Sequence, residues 1–344
     1  MRCVRMSSAA LGLVAAFAAP ATAQEFRIEE VPSVTALDPA RLKPDVIALS
    51  DHRTDELADP ATGLIRFADW ARARPVQKET LALYPAYREP TINVVVNGLT
   101  KRHTEKLHVY MAEARFMLPK APETLDLTRY AKLDFLTSID PAIKHRLIGP
   151  EEVVPLKDPE EAHNRHPDRR WCEPGRSLCI ESRYQLEGRL PVGIRLANKL
   201  EESAKPIADH VTFQSELRVL KGADLDQAKL LALTGVASPV TAAIEQNLFH
   251  VNQMMQFGKF LAVLQADPAN PGRTLVSTFV ALAVETDVLE KKKEFERVPV
   301  LRNLVPAQVL MGNSSFNTGT SLSAGLPQYT RNRIKAVAET LRRD

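Results

Sequence analysis

The side chains with the clearest capacity for chemistry fall within residues 160–188 of the 344-residue chain. This stretch contains five residues that bind metals or form disulfides: His163, His166, Asp168, Cys172 and Cys179. Imidazole, carboxylate and thiolate groups are the ligands that zinc prefers, and His-x-x-His spacing is compatible with a metal site. Two cysteines with a short turn between them instead form a disulfide when the compartment is oxidising. The compartment therefore decides which chemistry to expect.

The first 23 residues indicate the compartment. Arg2 and Arg5 precede a short apolar run, and Ala21-Thr22-Ala23 has the small-x-small pattern that signal peptidase requires. The apolar run is shorter than the roughly 20 residues that span a bilayer, and no later segment is apolar enough to do so. We therefore expect a signal peptide at residues 1–23 and an exported protein without a transmembrane segment. The short, alanine-rich leader favours a bacterial periplasm, with an extracellular location as the alternative.

An exported protein favours the disulfide over the metal site. The turn sequence Glu173-Pro-Gly-Arg176 lies between the two cysteines and brings their sulfur atoms together. We predict that Cys172 and Cys179 are joined and that the bridge holds the start of a strand at Leu178. Neither a metal nor a cofactor is predicted. A weak divalent-ion site at the two histidines and the aspartate of this stretch is the alternative.

Charge and glycine content argue against nucleic-acid and nucleotide binding. The formal net charge is +3, and removal of the two arginines in the leader leaves it near +1. Nucleic-acid binding needs a concentrated basic face, whereas the run Lys291-Lys292-Lys293 is flanked by glutamates. The 14 glycines form neither a dinucleotide-binding fingerprint nor a phosphate-binding loop. No nucleic-acid partner is expected.

Nucleophilic catalysis is the second chemistry that the sequence suggests. Ser321 and Ser323 lie in the Ser/Gly-rich segment 312–325, which we expect to be a loop. The segment lacks the second glycine of the G-x-S-x-G nucleophile elbow, and no strand-turn-helix pattern surrounds it. An envelope hydrolase that uses this loop, or the loop with His163 and His166, is therefore an alternative function, and a non-enzymatic protein is favoured.

The C-terminal half has the clearer secondary-structure pattern. Alternation of apolar and polar residues predicts strands at Leu178–Glu187, Val211–Val219, Asn247–Gln265 (one or two strands) and Thr274–Leu289. Helical spacing predicts helices at 191–202, 224–233 and 327–342, with Asp224 as a helix cap and Pro327 opening the terminal helix. Strands with one apolar face need a cover, which the helices supply. The expected fold class is α+β, with a curved antiparallel sheet packed against helices, and it resembles the helix-grip layout of lipid-binding domains.

The N-terminal half has a mixed pattern. Residues 91–99 are strongly β-forming and contain Asn97-Gly98, a hairpin turn signal. Apolar residues in 107–118 follow helical spacing, so this segment is a helix, which the spacing favours, or the returning strand of a hairpin. We divide the chain into a signal peptide, an N-terminal arm with a mixed α/β region at 24–150, a linker or loop at 151–175 and a sheet-and-helix domain at 176–344.

A pocket between the sheet and the terminal helix is the expected functional site. Flexible and aromatic apolar residues are its predicted lining: Met254, Met255, Phe257, Phe260 and Phe279. Such side chains form adaptable ligand pockets, although they also fill ordinary cores. The leading hypothesis is an exported protein that binds an apolar small molecule such as a lipid. A structural or interaction module of the cell envelope, docking through its N-terminal arm, is the remaining alternative.

Overall fold

The computed structural model describes residues 25–51, 56–59, 63–73, 91–96, 99–104, 107–154, 171–185, 210–251, 255–285 and 321–343. It contains twelve strands: β1 (Arg27–Glu30), β2 (Val46–Asp51), β3 (Ile65–Arg66), β4 (Thr91–Val96), β5 (Leu99–Thr104), β6 (Leu107–Leu118), β7 (Ile143–Leu147), β8 (Leu178–Gln185), β9 (His210–Lys221), β10 (Val240–Val251), β11 (Met255–Asp267) and β12 (Asn270–Glu285). The predicted α+β class is confirmed.

Ten of the strands form one curved mixed sheet. Its order is β1-β2-β6-β12-β11-β10-β9-β8-β7. The short strand β3 pairs with β6 on the same edge as β2, farther along that edge. The β1–β2 pair is parallel and the other pairs are antiparallel. Because β6 pairs with β12 along its whole length, strands from before residue 151 and after residue 175 share this sheet.

Within the ranges given above, four α-helices cover the two faces of the sheet. Their bounds are α1 (Phe67–Ala73), α2 (Leu133–Ile139), α3 (Gln227–Thr234) and α4 (Ser321–Arg343). Short 3-10 helices lie at Pro39–Arg41, Pro122–Thr124, Leu127–Ala131, Pro150–Glu152 and Gly222–Asp224. We define the inner face of the sheet as the one that packs against α4 and α2, and the outer face as the one that packs against α1 and α3.

The alternation within β12 explains why both faces carry a core. Val276, Val280 and Leu282 belong to the inner cluster, which also includes Ile334, Ala338 and Leu341 of α4. Phe279, Ala281 and Ala283 belong to the outer cluster, together with Trp70 of α1 and Leu230 of α3. Successive strand residues point to opposite faces, so one apolar strand supports two layers of helices.

The favoured helix at 107–118 is wrong, because this segment is β6, an interior strand of the sheet. The strand that returns after Asn97-Gly98 is β5 and not the predicted segment 107–118, because β4 pairs antiparallel with β5 and Val96 lies opposite Leu99. β6 then pairs with β2 on one side and β12 on the other. A strand buried on both faces is apolar at nearly every position, and such a run also satisfies helical spacing.

The predicted helix ends also need correction. Asp226, not Asp224, caps α3, where its carboxylate accepts the backbone N–H of Lys229 at 3.2 Å. Helix α4 begins at Ser321, so Pro327 lies inside the helix and does not open it. The segment 312–325, which was expected to be a loop, is helical from Ser321 onwards. The predicted helix at 191–202 lies outside the described residues. In the described part of the chain, no helix is both long and apolar enough to cross a membrane.

The predicted disulfide between Cys172 and Cys179 is present, with its Cα atoms 5.5 Å apart. Cys179 is the second residue of β8, so the bridge ties the preceding turn to the start of this strand. Both cysteines are buried beside Trp171, whose ring stacks on Phe249 of β10 with 4.6 Å between ring centroids. The candidate metal ligands His163, His166 and Asp168 lie outside the described residues.

Removing the disulfide is expected to lower the free energy of unfolding by about 2–3 kcal/mol, the loop-entropy value for so short a ring. Cys172 has a φ of 66°, which disfavours alanine more than glycine. The variant C172G/C179A should therefore unfold at higher urea concentration than C172A/C179A. Because neither variant has the bridge, this difference isolates the backbone effect. Identical urea midpoints for the wild type and both variants would contradict the prediction.

Candidate functional site

A cavity lies between α4 and the inner face of the sheet. Its enclosed volume is about 60 Å³, and the empty space reaches about 500 Å³ when the open mouth is included. The lining is mainly apolar and includes Phe135, Ile139, Leu217, Ile244, Phe260 and Val337. The cavity forms because Ala262 and Thr278, which are small, lie on the inner face beneath the helix.

The predicted pocket residues occupy different places. Phe260 lies on the inner face and lines the cavity. Phe279 also borders it, but its neighbours Thr278 and Val280 take the inner positions, so its ring belongs to the outer core. Met255 and Phe257 lie in β11, with side chains outside the described part of the structure. Met254 lies outside the described residues. Phe260 is therefore the predicted residue whose ring can contact a molecule in the cavity.

An arginine on α4 forms the polar end of the cavity. Arg333 donates hydrogen bonds to the side-chain oxygen of Gln246 and to the hydroxyl of Tyr329, the latter at 3.0 Å. Its guanidinium carbon lies 4.0 Å from the centroid of the Phe260 ring, a cation–π distance. Gln246 in turn donates to the hydroxyl of Ser215 at 2.9 Å. These contacts hold the guanidinium in one orientation over the apolar lining.

Two titratable groups lie within the electrostatic reach of Arg333. Burial and the positive charge of Arg333 lower the pKa of His145 to about 4, so this imidazole is neutral at pH 7. Burial raises the pKa of Asp140, and Arg333 opposes that shift. His145 Nδ1 lies 2.8 Å from the hydroxyl of Ser182. Among the described residues, no hydrogen-bond partner is present at His145 Nε2.

The Ser182–His145 pair resembles half of a catalytic triad, but the rest of its geometry does not support nucleophilic catalysis. Ser182 is 0% exposed, so a substrate cannot reach its hydroxyl without opening the sheet edge. In a triad a carboxylate orients the far imidazole nitrogen and stabilises the imidazolium ion. Here that nitrogen has no such group among the described residues, and Arg333 disfavours the imidazolium. We therefore assign the pair a structural role.

The other catalytic and metal-binding candidates gain no geometric support. Ser321 and Ser323 fall in the first turn of α4 and not in a loop, and their side chains lie outside the described part of the structure. Within the described ranges, no group of three or more histidine, cysteine, aspartate or glutamate side chains is arranged to hold a metal ion.

Arg333 and Gln246 were not predicted from the sequence as site residues. A signal for Arg333 was present, because it is one turn before Val337 and adjacent to Ile334, at the border of the apolar stripe of the terminal helix. A charged residue at that border either extends to solvent or faces the sheet, and helical spacing does not distinguish the two. Gln246 looks like any polar position in an alternating strand until the sheet order is known.

Comparison with known proteins identifies no family for this chain. No protein-family model and no curated protein matches the sequence. Among solved structures, the chain is similar to a START superfamily protein from Mycobacterium smegmatis, with 10% identity, coverage of 67% of this chain and 98% of that chain, and a TM-score of 0.29. Similarity at this level carries no argument about shared fold or activity. The coordinates themselves define an α+β protein with a C-terminal helix over an apolar cavity.

Proposed function

We propose that this protein binds a small apolar molecule, such as a lipid, between α4 and the inner face of the sheet. The observation that supports this most directly is the cavity itself, whose lining is mainly apolar and has a charged group at the end where Arg333 and Gln246 converge. Small-molecule sites combine an apolar lining with a few polar groups that orient the ligand. The disulfide and the signal-like leader support action after export, in the periplasm.

The size of the cavity suggests how the ligand sits. Holding one water needs roughly 10–15 Å³ of such enclosed volume, so about 60 Å³ admits only a short segment of an alkyl chain. This volume is below the roughly 300–1,000 Å³ that is usual for pockets that enclose a whole ligand, so most of a longer molecule would lie outside the cavity. We infer that one end of the ligand enters beneath α4 and the rest lies along the mouth.

Burial energetics set a minimum ligand length. Each buried methylene contributes about 0.8 kcal/mol, whereas micromolar affinity requires about 8 kcal/mol. Before association costs are counted, at least about ten methylenes must leave water. Medium- and long-chain molecules are therefore the expected ligands. Native mass spectrometry and organic extraction of the purified protein test this directly, and a protein that retains and takes up no such molecule would overturn the proposal.

Filling the cavity is expected to weaken binding of cis-parinaric acid, a fluorescent fatty acid, by more than tenfold. Val337→Trp places an indole into the space beneath α4, because Val337 is part of the lining. Asn332→Trp adds the same ring at an exposed position of the same helix and should leave the affinity unchanged. Fluorescence titration measures both variants.

Overpacking a core lowers stability by roughly 1–3 kcal/mol, so circular dichroism should first establish that Val337→Trp is folded. Ala262→Leu fills the cavity from the sheet side by a smaller volume and serves if the tryptophan variant does not fold. Wild-type affinity in a folded cavity-filling variant would show that the probe binds elsewhere.

A further inference from the structure

We propose that the ligand carries a carboxylate and that the Arg333 guanidinium binds it at the polar end of the cavity. This inference rests on the proposed function, since it names the chemical class of the ligand for the same site. It follows from three observations: the charge of Arg333 lacks a carboxylate partner, its orientation is held from two sides, and its surroundings favour a single negative charge.

The first observation is the missing counter-charge. Among the residues that the structure describes, no carboxylate forms an ion pair with Arg333, although other cations on α4 are paired. Arg331 contacts Glu30 at 2.6 Å, and Lys335 contacts Glu25 at 3.1 Å. The buried lysine of β11 is paired in the same way, as Lys259–Glu245. The buried Arg115 is instead surrounded by three neutral acceptors and does not line this cavity. The half-buried guanidinium of Arg333 faces an apolar cavity without such a carboxylate partner among the described residues. An anionic ligand would supply the missing negative charge.

The second observation is that the guanidinium is already oriented. Two of its N–H groups are engaged by Gln246 and Tyr329, and the Phe260 ring supports one face of the group. A guanidinium has five N–H donors, so three form no hydrogen bond with the described residues and can serve a ligand. The planar fork matches the two oxygens of a carboxylate, and bidentate bonds between charged groups are about twice as strong as neutral ones. Because the Arg333 side chain is already ordered, less of its conformational entropy is lost when a ligand binds, which favours binding.

The third observation concerns the neighbours of Arg333. Burial and the charge of Arg333 keep the imidazole of His145 neutral at pH 7, so this neighbour adds no second positive charge. Asp140 lies within electrostatic range of the guanidinium and offsets part of its charge. One guanidinium is therefore matched by one carboxylate, whereas a phosphate dianion would leave a negative charge uncompensated beside an apolar lining, which is unfavourable.

The test compares cis-parinaric acid with its methyl ester, because the two share one chain and differ in charge. Wild-type protein should bind the acid at least tenfold more tightly than the ester at pH 7.5. Arg333→Gln keeps a hydrogen-bonding amide but removes the charge, and it should abolish this preference by weakening the acid alone. Arg342→Gln is the matched control, because Arg342 also stacks on a ring, that of Phe26 at 3.5 Å, but lies outside the cavity lining.

The outcomes separate the two proposals. Equal binding of acid and ester to the wild type would overturn the carboxylate inference and leave apolar binding intact, whereas binding of neither would overturn the proposed function as well. Dodecyl phosphate that displaces the acid more effectively than dodecanoate does would also overturn the carboxylate assignment. If Arg333→Gln does not fold, the carboxylate inference is tested by the relative affinities of the wild-type protein for the acid and the ester.

Discussion

Replacing Arg115 with alanine is expected to lower the free energy of unfolding by roughly 3–5 kcal/mol, a large loss for a residue away from the cavity. Arg115 lies on β6 and is 1% exposed. Its guanidinium donates to the hydroxyl of Ser277 at 3.2 Å, to the carbonyl of Leu37 at 3.2 Å and to the carbonyl of Thr234 at 2.5 Å. Alanine would leave these acceptors unsatisfied around a void.

The position of Arg115 explains why so many groups depend on it. Thr234 is the last residue of α3, where helix carbonyls lack intrahelical partners and favour a cation. Burial lowers the pKa of the guanidinium, and Glu113 opposes that shift, but an arginine stays charged at any physiological pH. One side chain thus joins strand β6, the end of α3 and the N-terminal segment around Leu37.

Two control variants separate the contributions at this position. Ser277→Ala removes one acceptor and should cost about 1 kcal/mol. Arg115→Lys keeps the charge but cannot reach three acceptors at once, so its loss should fall between those of the other two variants. Urea unfolding followed by circular dichroism measures all three. An Arg115→Ala protein as stable as Ser277→Ala would show that the two carbonyl contacts contribute nothing.

Replacing Phe116 with alanine is expected to cost a similar roughly 3–5 kcal/mol, through the loss of buried apolar contacts and the cavity left behind. Phe116 is 0% exposed on the inner face of β6. It meets Phe26 edge-to-face with 5.5 Å between ring centroids, and Arg342 of α4 lies over the other ring. The substitution should therefore also loosen the last turn of α4.

The matched substitutions are conservative or exposed. Phe116→Leu keeps most of the volume and should cost less than about 1.5 kcal/mol. Leu147→Ala removes a side chain that is 55% exposed and should change stability by less than about 0.5 kcal/mol. Thermal and urea unfolding should show the largest loss of stability for Phe116→Ala, a smaller loss for Phe116→Leu and the smallest for Leu147→Ala. A loss below 1.5 kcal/mol for Phe116→Ala would contradict the central role given to this ring.

Local patterns predicted much of the fold because they report burial directly. The alternation in Thr274–Leu289 assigned the two faces of β12, since strand side chains alternate with a period of two. The stripe at Ile334, Val337, Ala338 and Leu341 identified the face of α4 that contacts the core, since helical side chains repeat every 3.6 residues. Neither inference needed to know which elements become neighbours.

The candidate site was predicted only in outline. The interface between the sheet and the terminal helix, together with Phe260, followed from pattern and residue type. Arg333 and Gln246 could not be assigned, because their contact joins α4 to β10 across 87 residues of chain. A polar side chain acquires its role in a site from what faces it, and periodicity contains no information about the facing partner.

The stretch that dominated the sequence analysis, residues 160–188, shows the division between local and long-range information. Its cysteines lie close in sequence around a tight turn, so the sequence by itself determined their pairing. It also determined the α+β class and the apolar face of the terminal helix. Only the tertiary structure decided that residues 107–118 are an interior strand of the sheet, that the sheet includes strands from both halves of the chain, and that an arginine faces the cavity. Those features depend on contacts between distant segments, whose pairing is set by the packing of the whole sheet.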